Sequence, residues 1–293
     1  MSAARLHKIS PWRVAALWKT RRALRKGARL AASLVPGKTT FSDIIFWTVI
    51  GFLFMPLAVL LVYSFNSSRS GSWTGFSTVW YEKLLFGSPD LWHAFRNSIV
   101  IALGSASAAT FIGTLAAIGT ARYNFRLKPY VRAMSFLPMI LPEIVVGVSL
   151  LVFFAGVGLK LGMISVWIAH TTFNLPFVYL LVSARMEEFD PTIIEAARDL
   201  GANEIQTLLR VIVPVALPGI ASGFITAITL SLEDFVITFF VSGPGATTLP
   251  LFIYSMIRFG VSPVINALSV VMVAGTILLV YPLRNFLKAF AAR

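Results

Sequence analysis

RMEEFDPTIIEAARDLGANEIQTLLRVIVP, residues 185–214, is a long polar stretch set between two apolar runs. Asp190 is an N-cap residue type, and Pro191 follows at the first helical position, where its missing N–H costs nothing. The pattern predicts a short helix from Thr192 to Leu200, stopped by Gly201, which tolerates the left-handed backbone of a helix end. Asn203 then caps a second helix through Glu204, Ile205, Leu208 and Leu209, with Pro214 and Pro218 ending it. Ile193, Ala196, Ala197 and Leu200 make one face of the first helix small and apolar. Such a face either docks into a groove on a partner or folds back on a membrane.

Working outward, a helix needs about 20 apolar residues to cross roughly 30 Å of hydrocarbon. Six stretches reach or approach that length: 43–65, 95–121, 133–155, 163–184, 217–241 and 263–283. The composition agrees, with 57% hydrophobic and only 13% charged residues and a mean hydropathy of +0.81. A soluble domain carries roughly 25% charged residues, so an ordinary soluble enzyme is excluded. The absence of cysteine removes disulfide frameworks, Cys-type zinc sites and thiol nucleophiles. The expectation is an all-α integral membrane protein with six transmembrane helices spanning 43–285 and a cytoplasmic helical loop at 185–215.

The charge of +13 has a location. Ten Lys and Arg, from Arg5 to Lys38, precede the first acidic residue, Asp43. The loop after the second span adds Arg122, Arg126, Lys128 and Arg132, and the far end adds Arg284, Lys288 and Arg293. Cytoplasmic segments accumulate basic residues, so both the tail 1–42 and the short tail 286–293 are expected in the cytoplasm. Val14, Leu17, Leu24, Ala28 and Ala31 give the first tail a partial helical stripe, which suits either a helix lying on anionic lipid or a loosely ordered segment. Lipid headgroups are the nearest anions, so lipid rather than nucleic acid is the expected partner. Gly37-Lys38-Thr39 imitates the end of a phosphate-binding loop, but Ala32 stands where that loop requires glycine. Asn66-Ser67-Ser68 fits the short glycosylation pattern, and Trp73, Trp80 and Trp92 are expected at the outer interface.

The loop resembles a known family. Glu195-Ala196-Ala197, Gly201 and Pro214 match the EAA signature of permease subunits of bacterial ABC importers, with Val211 and Val213 replacing the usual Ile and Leu before the proline. Ser231-Leu232-Glu233-Asp234-Phe235, the run from Val241 to Pro250 and Gly260-Val261-Ser262-Pro263 look like the second permease component of spermidine/putrescine importers. The resemblance implies the type I importer permease fold. It also implies that Glu195, Ala196, Ala197, Gly201 and Pro214 belong to the element that couples the spans to a separate ATPase dimer. ATP and magnesium would then sit on that ATPase, with no cofactor on this chain. A homologous second permease and a periplasmic or lipid-anchored solute-binding protein would complete the assembly, in the bacterial inner membrane.

Glu143, Glu233 and Asp234 fall inside spans, where a carboxylate costs roughly 2.5–3.5 kcal/mol on insertion scales. With Asn174 they are the candidate lining of a path for a cation such as putrescine or spermidine. The alternative is internal pairing, for example with His170, a residue expected to be packed rather than catalytic. Close relatives could serve an opine, ferric ion or thiamine, and a stand-alone channel or secondary transporter would use the same acids without an ATPase dock. His7, His93 and His170 form no paired metal motif, so no enzymatic role is expected.

Overall fold

The computed structural model describes residues 41–69, 72–188, 190, 192–259 and 263–291. The basic tail as far as Thr40, Gly37-Lys38-Thr39 within it, Pro191 and Gly260-Val261-Ser262 lie outside the described residues. So do the side chains of Arg284, Lys288 and Arg293. The chain divides into two units, 1–59 and 60–293.

Every regular element among the described residues is helical. α1 (Phe41–Tyr63) is 23 residues long, carries no charge after Asp43 and buries none of its side chains. An exposed helix with a mean hydropathy of 2.5 has only lipid as a compatible solvent. The short α2 (Val79–Phe86) precedes α3 (Pro89–Arg122), which runs for 34 residues. α4 (Lys128–Ile140) and α5 (Glu143–Gly156) follow, then α6 (Met163–Glu187). The polar loop forms α7 (Thr192–Asp199) and α8 (Glu204–Thr207). α9 (Val213–Glu233), α10 (Val236–Val241), α11 (Leu249–Phe259) and α12 (Val264–Ala291) complete the chain.

The centre of the second unit is α3 packed on α6 and α9. Ala106, Ala109 and Ala117 of α3 meet Val178, Tyr179 and Val182 of α6, with Ala216 and Ala227 of α9 closing the cluster. Small residues are what this contact requires, because helices in lipid gain by close backbone approach rather than by the hydrophobic effect. A Cβ added at Gly113 would stand 2.9 Å from Val178 Cγ1 and 3.2 Å from the Tyr179 nitrogen. Gly104 lies against Trp167 and Gly113 against Val178, so α3 and α6 run in the same direction.

Among the described residues, four helices are long and apolar enough to cross a membrane, or five if one bent pair counts as a crossing. The expected six continuous spans are corrected in two places. The third, 133–155, is α4 and α5, which meet at 113°. Pro142 is the cause: its ring disfavours helical backbone at the preceding residue, and Leu141 is extended at φ −75°, ψ 139°. The fifth, 217–241, breaks after Glu233, where Asp234 is extended at φ −63°, ψ 123° before α10 begins. The sixth, 263–283, lies on α12, which is helical from Val264. Pro138 and Pro176 do not interrupt their helices, since a packed membrane helix can absorb the loss of one backbone hydrogen bond.

One surface expectation also changes. Trp80 is buried, with its indole N–H donating to the Asn66 carbonyl at 2.6 Å, while Trp73 and Trp92 remain exposed. Asn66 is buried too: its amide donates to the Ser72 carbonyl at 2.8 Å and accepts from the Thr74 N–H at 3.0 Å. That side chain closes a loop and offers no acceptor for a glycan.

Candidate functional site

Both helix breaks face each other. α5 starts at Glu143 and α10 starts just after Asp234, and the two helices pack together, with Gly147 letting Phe240 and the backbone of Ile237 approach. The break places Glu143 in the first turn of α5, where the free N–H groups of a helix start favour negative charge. A cavity of about 300 Å³ lies here, lined by Glu143, Phe173, Leu230, Glu233, Asp234, Phe235 and Val236. Three carboxylates separated by as much as 91 positions (234 − 143) thus share one space.

They are not equivalent. Glu143 and Glu233 are exposed to the cavity, whereas Asp234 is 8% exposed. Asp234 accepts the Ile237 N–H at 3.2 Å, the Thr238 N–H at 2.9 Å and the Thr238 hydroxyl at 2.7 Å, so it caps α10. His170 Nε2 lies 3.1 Å from the same carboxylate. Asp234 thus makes the contact with His170 that was one of the two readings left open by the sequence, while it also lines the cavity. Asn174 is fully buried, donates to the Ala227 carbonyl at 3.1 Å and is absent from the cavity lining. Its carbonyl oxygen meets no hydrogen-bond partner among the described residues.

The polar loop forms the second site. The Thr192 N–H donates to Asp190 Oδ1 at 2.9 Å, and this bond, with the Thr192 hydroxyl, holds the Asp190 carboxyl below the usual range. α7 ends in a left-handed stop: Gly201 has φ +84°, its N–H bonds to Arg198 O at 2.8 Å, and Ala202 N–H bonds to Ala197 O at 3.0 Å. Asn203 and Gln206 exchange reciprocal side-chain to backbone bonds at 2.8 and 3.0 Å, which starts α8. The second helix does not stop at Pro214, as the sequence suggests. A wide π turn over Leu208–Ile212 carries it into α9, with the Val213 N–H reaching back to Leu208 O. Pro214 then lies just past the π turn, inside a helix that runs on to Glu233.

Glu195 and Ala196 are exposed, as are Ile193, Leu200, Ile205 and Leu209, while Ile194 packs on the bundle. The loop thus turns an apolar face outward and is anchored from behind.

Residues 109–293 match the family described as binding-protein-dependent transport system inner membrane component. The chain belongs to this family. It is a membrane-embedded transport component of an ABC importer rather than an enzyme. The permease is 45% identical over 233 residues to the spermidine/putrescine transport system permease protein PotC of Escherichia coli, covering 79% of this chain and 88% of that one. It is 41% identical over 226 residues to the putrescine transport system permease protein PotI of the same organism, covering 74% and 80%. Its fold matches a chain of a bacterial ABC transporter for alginate import with a TM-score of 0.60 at 17% identity, covering 83% of this chain and 96% of that one. It matches the MetNI methionine ABC transporter at 0.55 and 22%, covering 73% and 99%.

Two features of the permease escaped the sequence reading. Glu204 is bound on one oxygen by Arg122 and on the other by Arg198 at 2.6 Å, which ties the end of α3 to both helices of the loop. Charge alternation within the loop could have suggested Arg198 with Glu204, but nothing local points to Arg122. The Ser231 and Thr238 hydroxyls on either side of His170 were equally invisible, because they come from separate helices.

Proposed function

We propose that this chain forms half of the inward path for a polyamine-like cation, putrescine or spermidine, with a homologous permease as the other half. A solute-binding protein delivers the cation, and an ATPase dimer that binds ATP and magnesium docks on the loop 185–215. The observation that carries the solute class is the pair of exposed carboxylates, Glu143 and Glu233, in one cavity walled by Phe173 and Phe235. Carboxylates offer an ammonium group the counter-charge it loses on leaving water, and aromatic faces add a cation–π attraction. The relatives named for spermidine and putrescine transport support the same class.

The coupling role falls to Glu195, Ala196, Ala197 and Gly201, supported by an exposed apolar face on a capped, rigidly stopped helix. Pro214 would pass the motion into α9. We further propose six crossings with both termini in the cytoplasm, the bent pair and α12 each counting as one, because Lys and Arg concentrate on that side. The basic tail 1–42 would lie against anionic lipid.

The test is uptake per assembled complex in reconstituted vesicles. Replacing Glu143 and Glu233 together by Gln keeps size and hydrogen bonding but removes the counter-charge. Polyamine uptake should fall about tenfold or more, with assembly preserved, as expected when charge-assisted hydrogen bonds are lost. Unchanged uptake per complex overturns the polyamine reading.

A further inference from the structure

His170 is 2% exposed, in the middle of α6, and no step of transport as described so far uses it. Its Nδ1 lies 2.6 Å from the Ser231 hydroxyl, which in turn accepts from the Ser105 hydroxyl at 3.3 Å. Its Nε2 lies 2.9 Å from the Thr238 hydroxyl and 3.1 Å from Asp234 Oδ2. A neutral ring satisfies these contacts: Ser105 donates to Ser231, Ser231 to Nδ1, and Nε2–H to the Asp234 carboxylate, which Thr238 also serves. One imidazole thus bridges α3, the last turn of α9, the break and α10.

The consequence lies one residue away. Glu233 and Asp234 flank the point where helix gives way to extended backbone, and successive side chains there point to opposite sides. Both line the cavity, but Asp234, held by His170 and by the start of α10, is 8% exposed, while Glu233 is left exposed. We propose that His170 is a positioning residue: through Ser231 and Asp234 it fixes the break between α9 and α10 so that Glu233, and not Asp234, meets the translocated cation. This rests on the polyamine-path reading for the identity of the cation, but the placement of Glu233 stands apart from it.

The absence of cysteine from this chain supplies the experiment. Glu233→Cys and, as control, Glu143→Cys are introduced singly into the reconstituted importer, its other subunits made cysteine-free, and labelled with a charged water-soluble thiol reagent. Adding His170→Ala should slow labelling at position 233 about tenfold, the population shift expected on losing a hydrogen bond to a charged group. Labelling at position 143 should change less than about twofold, since that site holds no bond to the cluster. His170→Gln, which retains an N–H donor toward Asp234, should restore the rate at 233. Equal labelling at 233 with and without His170 overturns the proposal. A parallel fall at both positions with loss of assembly overturns it too, because His170 then holds the bundle rather than the carboxylate. Spermidine added before the reagent addresses the other reading: protection at 233 supports a polyamine path, and its absence overturns that path while leaving the positioning result standing.

Discussion

Arg122, in the last turn of α3, is ion-paired with Glu204, 82 positions further along the chain, in the first turn of α8. The Arg122 side chain is 8% exposed, while Glu204 is 58% exposed and also holds Arg198 of α7. Exposed pairs contribute about 0–1 kcal/mol, but a guanidinium this buried loses its only carboxylate among the described residues if Glu204 is removed. Glu204→Gln should therefore loosen the loop from α3. Uptake per ATP hydrolysed should fall severalfold while the ATPase still co-purifies, a ratio read directly in vesicles. An unchanged ratio would show that α3 moves independently of this contact.

Gly201 holds φ at +84°, and a Cβ there would meet nothing within 4 Å. Any penalty for substitution is therefore a backbone penalty, about 1–2 kcal/mol for an ordinary side chain in the left-handed region and less for Asn. Gly201→Asn should retain most ATPase association, Gly201→Ala less and Gly201→Val least, with membrane insertion equal in all three. Co-purification at fixed detergent and salt ranks them, and equal association across the series would remove the docking turn from α7.

Gly243 is constrained for the opposite reason. A Cβ there would collide with the Leu161 carbonyl oxygen and carbon, both backbone atoms that no rotamer change can move. Gly243→Ala should lower the yield of folded permease and its melting temperature more than Gly158→Ala. At Gly158 φ is +72° but the space is open, so only the smaller left-handed cost applies.

Asp190 has its carboxyl below the usual range because the Thr192 N–H and hydroxyl bond it. A lowered folded value means that the cap is fully present above the ordinary aspartate range and is lost as pH falls through the lowered value. Amide protection across Thr192–Asp199 should follow that course by hydrogen exchange. In Asp190→Ala it should be weaker at neutral pH and should lose its acid dependence.

Reporter fusions after Ser67 and after Asn203 should report opposite sides of the membrane. Both residues on one side would refute the proposed six crossings.

Local chemistry carried much of this protein. The apolar runs specified a helical membrane chain, Asp190, Asn203 and Gly201 specified the caps and stop of the polar loop, and Glu195-Ala196-Ala197 with Gly201 specified the family. Each of these signals acts within a few residues, through backbone geometry or the bilayer's intolerance of unpaired polar groups. Pro142, Pro176 and Pro214 look alike along the chain, yet one breaks its span, one is absorbed and one follows a π turn inside a continuing helix. Packing from other helices selects among those outcomes. The same limit applies to the acids. Glu233 and Asp234 are neighbours of the same charge, and only the arrival of His170 from α6, 64 positions before Asp234 (234 − 170), buries one as a helix cap and leaves the other exposed at the cavity.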